Sequence, residues 1–184
     1  MAASTVSAAQ VVATFDGSAE EWDCATEQLQ GWTHFHRYGW RRVMQHALGH
    51  ECVNLVARGE DGAITGLLPL VHVRSALFGH YLVSMPFLNY GGPLGCNGSI
   101  AALTDASLGI ARETKPKMLE FRSRTPLSLE APVSHRKVTV LLALRVVENP
   151  KIGPRAAIQK PQNRADATNG PSLVNAREKV IALG

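Results

Sequence analysis

The residues best placed to do chemistry cluster in the bend Leu82-Val-Ser-Met-Pro-Phe-Leu-Asn-Tyr-Gly-Gly-Pro-Leu94. An apolar strand runs into Pro86, which removes a ladder donor, and Gly91 and Gly92 permit positive φ and close backbone approach. A sheet that ends this way can leave bare N–H groups, with Asn89 and the Tyr90 hydroxyl, facing a groove. The same residues also suit a tight loop between strand and helix. Glu120 and Arg122 have alternate-strand spacing and so project from one face. Paired, they would present a fixed carboxylate and guanidinium to a polar substrate; as an ordinary surface ion pair they would be worth little. His135-Arg-Lys137 opens a strand, where His135 could act as a base and Lys137 could grip an anion, or where all three could be a solvated basic stretch.

Other reactive types are less well arranged. His34, His36, His46 and His50 invite a zinc reading, but Gly49 ends the helix between His46 and His50 and spoils their shared face, so no metal site is expected. Cys52 lies in an apolar run and reads as a buried small hydrophobe. No Gly-x-Ser-x-Gly elbow or Cys/His pairing supports a nucleophile. Trp32, Phe35, Tyr38 and Trp40 read as a helix anchor rather than a base-stacking platform.

These residues need a scaffold, and 184 residues with 45% hydrophobic content suffice for one ordinary core. No apolar run approaches a bilayer span, the first residues lack the pattern of a secretory signal, and three scattered cysteines argue against a disulfide framework. A reducing cytoplasm is the expected compartment. The net charge of +4 permits an anionic partner such as tRNA, a nucleotide sugar or a lipid surface, without a nucleic-acid-binding motif to favour the first.

Along the chain, 11–15 reads as a strand and Ser18-Ala-Glu-Glu21 as a capping box opening a helix to about residue 30, with Trp22, Ala25 and Leu29 inward. Trp40, Val43, Met44, Ala47 and Leu48 form one helical apolar stripe, with Gly49 as its left-handed stop. Strands are expected at 53–58, 63–73, 81–85, 117–122 and 138–144, with a hairpin turn at Glu60-Asp-Gly62 and a helix over 99–112. Pro69 should place its strand at an edge or on a bulge. The pattern predicts an α/β or α+β sheet flanked by helices. After Arg145, Pro150, Pro154, Pro161 and Pro171 interrupt a polar segment, more like a linker than a core, with a short terminal helix over 174–183.

From His36 to Leu144 the chain resembles the FemAB-like acyltransferases of the GNAT (acetyltransferase-type) fold, nearest the branch associated with exosortase, PEP-CTERM and exopolysaccharide systems. The resemblance rests on His36-Arg-Tyr-Gly-Trp40, Ala47-Leu-Gly-His-Glu51, Gly66-Leu-Leu-Pro-Leu-Val-His-Val-Arg-Ser-Ala-Leu-Phe-Gly79, Ser84-Met-Pro-Phe-Leu-Asn-Tyr-Gly-Gly-Pro93, Leu119-Glu-Phe-Arg122 and His135-Arg-Lys-Val-Thr-Val140. It implies a GNAT-like half over 1–145, with 146–184 a divergent tail where the family continues into a second GNAT-like domain. The expectation is a truncated N-acyltransferase, not active alone, with Asn89, Tyr90, Gly91, Gly92, Glu120, Arg122, His135 and Lys137 lining part of a substrate groove. The alternatives are a partner-binding or degraded fragment and, resting on charge, an RNA-binding module.

Coenzyme A-dependent GNAT enzymes cradle the pyrophosphate on a glycine-rich loop at a helix N-terminus. The nearest candidate here, Gly91-Gly-Pro-Leu-Gly95, loses an amide to Pro93, so acetyl-CoA is disfavoured and no resident cofactor is expected. The resemblance implies aminoacyl-tRNA or another activated acyl donor such as acyl-CoA, a peptidoglycan- or polysaccharide-type acceptor, and a partner covering the face that a second domain would occupy.

Overall fold

A computed structural model describes residues 10–77, 79–129, 133–134 and 178–181. They belong to a unit that takes in Met1–Lys137 and Ala176–Gly184; Val138–Asn175, including the strand expected over 138–144, lies outside the described residues, as do His135 and Lys137.

Strand β1 (Val11–Thr14) leads through Asp16-Gly17 into helix α1 (Ala19–Gln28), capped by the Ser18 hydroxyl accepting from the Glu21 N–H at 3.1 Å. Only half of the capping box closes, because the Glu21 carboxylate pairs instead with Arg58 at 3.1 Å. A 3-10 turn at His34–His36 precedes α2 (Gly39–Arg42), which widens into a π-helical turn over Val43–Ala47. Strands β2 (Glu51–Arg58) and β3 (Ile64–Ser75) form a hairpin, and β4 (Gly79–Val83) returns along β3. After the bend come β5 (Leu94–Gly95), α3 (Asn97–Thr114), β6 (Met118–Phe121), β7 (Val133–Ser134) and β8 (Glu178–Ile181).

The sheet runs β1-β2-β3-β4-β6-β8-β7, with β5 also on β3. Its pairs are antiparallel except β4 with β6, whose connection crosses over through α3 as a parallel pair requires. Leu55, Leu68, Leu70, Leu82, Leu119 and Phe121 face α3, meeting Leu103 and Ala111. The alternate residues point the other way: Val56 and Leu67 pack on Phe15 and Trp22, and Cys52 and Val71 on Met44 and Met85. This period-2 alternation, buried on both faces, makes the sheet the middle layer of an α+β fold.

Three expectations are corrected. Pro69 lies in an interior strand, opposite Asn54 of β2, and the ladder's irregularity falls at Ala57/Arg58 instead. Proline is tolerated because β5 covers only Gly66 and Leu67 and β4 only Val71 to Ser75, so among the described residues no strand pairs with 68–70 on that side and no ladder donor is missed. The apolar stripe from Trp40 to Leu48 is not a buried face. The Leu48 N–H reaches back five residues to the Val43 carbonyl at 3.2 Å, and this wider turn keeps Met44 buried while turning Val43 and Leu48 outward. Finally, the segment expected as a terminal helix contributes β8, registering Ile181 with Leu119 and Lys179 with Phe121. A lone helix of that length is marginal in water, whereas the open edge of β6 supplies ladder partners for Val180 and Ile181.

Candidate functional site

The site forms where β4 and β6 end side by side. Their parallel register sets Val83 against Glu120, and the pairing continues past the strand, with the Ser84 N–H donating to the Glu120 carbonyl at 2.9 Å and the Arg122 N–H to Ser84 Oγ at 2.7 Å. Beyond Ser84 the chain leaves the sheet through Met85 and Phe87, whose φ values of 51° and 67° are left-handed in non-glycine residues. It returns at Gly91 and Gly92, whose N–H groups both donate to the Arg122 carbonyl, at 3.1 and 2.9 Å.

Neither glycine has positive φ; both are required by crowding. A Cβ on Gly91 would sit 2.4 Å from Met85 Cβ, and one on Gly92 2.7 Å from Ser123 Cα. The expected bare amides are therefore occupied, and the diglycine packs in the interior because the Arg122 carbonyl needs a donor at the frayed end of β6.

Arg122 closes the bend with its side chain as well. Nε donates to Glu120 Oε1 at 2.8 Å and Nη1 to the Leu88 carbonyl at 2.7 Å. The Glu120 and Arg122 side chains are 11% and 15% exposed, so this is a largely desolvated pair rather than a surface one. Among the described residues no hydrogen bond reaches Glu120 Oε2, which leaves that oxygen available to one more donor.

Tyr90 departs from expectation too. It is only 5% exposed, its ring lies 6.3 Å from that of Phe35 with the Arg124 guanidinium 5.6 Å from its centroid, and its hydroxyl has no partner among the described residues. Asn89, by contrast, is exposed at the tip. Tyr90, Gly91, Gly92, Glu120 and Arg122 are thus brought together around a largely buried ion pair.

Sequence reasoning missed His36 here. Its Nε2 donates to the Gly92 carbonyl at 3.1 Å, which fixes the tautomer and lets Nδ1 accept from the Thr33 N–H at 3.1 Å. Its own carbonyl accepts from Trp22 Nε1 at 2.7 Å, tying the bend to α1. Burial lowers the His36 pKa from an ordinary 6.5 to about 4, against the opposing pull of its bonds to Gly92 and Thr33, so the imidazole is neutral at pH 7. No local pattern signals this role, because its partner is 56 residues away.

Cys52 is buried, as expected, and desolvation pushes its thiol up to about 11. Among the described residues, no group of three or more His, Cys, Asp or Glu is placed to hold a metal ion, and no helix is long and apolar enough to cross a membrane. Compared with known proteins, the chain matches no family model and no curated sequence.

Proposed function

We propose that this domain is the acceptor-holding, GNAT-like half of a FemAB-type N-acyltransferase, which passes an acyl or aminoacyl group to an amine of a cell-wall or exopolysaccharide-type acceptor. The supporting observation is the desolvated pair of Glu120 and Arg122, clamped by the diglycine bend with no hydrogen bond to Glu120 Oε2 among the described residues. A carboxylate held rigidly by a guanidinium can orient an incoming ammonium or amine at little entropic cost, which is what an acceptor site needs.

Transfer also requires donors for the oxyanion that develops on the acyl carbonyl. The amides of Gly91 and Gly92 are committed to the Arg122 carbonyl, so they do not serve that purpose. Turnover then needs donors other than these two amides, with aminoacyl-tRNA or acyl-CoA as the activated substrate.

The test is titration of the purified chain with an amine-bearing muropeptide or amino sugar, followed by backbone NMR. Amide signals at 88–92 and at Arg122 shift and saturate, Glu120→Gln abolishes the response, and no acyl product forms from the chain alone with either donor. Unchanged spectra, or a response indifferent to Glu120→Gln, overturns the proposal. A non-catalytic, partner-binding domain is the second reading, favoured by the strong exposure of Leu77 and Phe87.

A further inference from the structure

Large apolar side chains exposed among the described residues are Val11, Val43, Leu48, Leu77 and Phe87, and all but Val11 lie at one end of the sheet. The register places them there. β2 begins at Glu51 opposite His72, β3 turns into β4 between Ser75 and Gly79, and β6 begins at Met118 beside Tyr81. Leu77 sits in the β3–β4 turn, 88% exposed, and Leu48 lies just before β2, joined to Val43 by the π-helical hydrogen bond. Phe87 reaches the same end because its ring stacks on His50, with centroids 5.9 Å apart and planes 18° apart.

Cations alternate with these groups. Arg42 is exposed on the helical stretch that carries Val43 and Leu48. Lys115 and Lys117 are exposed where α3 gives way to β6, and the Lys117 side chain lies against Gly79 beside the Leu77 turn. The nearby carboxylates are Glu51, paired with Arg74 at 3.4 Å, and Glu113. The opposite end of the β2–β3 hairpin instead carries Glu60 and Asp61.

We propose that this end of the sheet docks on an anionic lipid surface. Apolar side chains that stand singly among cations, rather than in one continuous groove, suit a headgroup boundary, where each apolar group enters the acyl region and each cation meets a phosphate. Charge complementarity favours anionic over neutral lipid. Phe87 keeps its aromatic ring 65% exposed at this end. This surface is independent of the acyl-transfer reading, and the loss of either leaves the other standing.

The full chain is sedimented with vesicles of phosphatidylcholine alone and with about one-third phosphatidylglycerol, at low and high salt. Binding appears with the anionic vesicles and falls with salt. The double variant L77S/F87S lowers the partition coefficient about tenfold or more. R42Q and K115Q each lower it about fivefold. These positions are exposed, so thermal unfolding midpoints by circular dichroism stay near that of the parent and separate lost binding from lost folding. Equal partition onto neutral and anionic vesicles overturns the proposal, as does binding that survives L77S/F87S. So does equal retention by RNA, or self-association in light scattering that L77S/F87S abolishes in a chain that ignores vesicles.

Discussion

His36 joins three stretches that are remote in sequence: α1 through Trp22, the turn at Thr33, and the bend at Gly92. Burial and the bond that Nδ1 accepts from the Thr33 N–H favour a neutral ring, so the residue couples the site to acid. In the unfolded chain the imidazole titrates near 6.5, whereas in the folded one it resists protonation down to about 4. The unfolded state therefore binds the extra proton in that interval, and stability falls as pH drops from 6.5 to 4, with no further loss from this group below. The interval corresponds to about 3 kcal/mol. Urea unfolding at pH steps through the interval should show this decline, and H36Q, which can still donate to Gly92, should flatten it. An equally steep decline in H36Q would assign the acid sensitivity elsewhere.

At the scale of elements, the bend is a small machine for joining β4 to β6, and its glycines are chosen by space. Gly92→Ala drives a methyl into the backbone at Ser123, which cannot swing aside as a side chain would. Destabilisation of about 2 kcal/mol or more is expected, read as a lower urea midpoint, together with loss of the ordered NMR signals at 88–92. An unchanged midpoint would show that the bend yields at low cost.

The elements also show what a linear reading can reach. The Ser18 cap, the left-handed stop at Gly49 (φ 68°) and the turn at Gly62 (φ 79°) are local events, encoded within a few residues, and all three were legible. So was the Glu120 and Arg122 pair, because alternation in a strand fixes which face a side chain takes. Pro69 was misread because its tolerance depends on two other strands leaving 68–70 unpaired, a fact about β4 and β5. Gly91 and Gly92, which permit either positive φ or close approach, serve close approach, and left-handed φ falls on Met85 and Phe87, since the path of the bend is set by the Arg122 carbonyl it must reach. Positions such as His36 and β8, defined by partners far along the chain, carry no periodic signature.

For the molecule as a whole, β8 matters most. It covers the edge of the strand that carries Glu120 and also pairs with β7. Removing residues 176–184 should leave the β2–β3 core largely intact and expose the β6 edge. Hydrogen exchange then reads the difference: protection of the Leu119 and Phe121 amides drops about tenfold or more, while that of Leu68 and Leu70 persists. Equal protection in both chains would mean that β8 contributes nothing to holding the site.

The same pairing has a consequence for biosynthesis. Translation makes β6 first and its neighbour β8 only after the whole stretch from Phe121 to Glu178, and at roughly 5–20 residues per second that gap lasts several seconds. Throughout it, a nascent chain on the ribosome holds a bare hydrogen-bonding edge that neighbouring polypeptides could capture. Slower elongation between the two segments should lower the yield of native protein, whereas co-expressing residues 176–184 as a separate peptide should restore it.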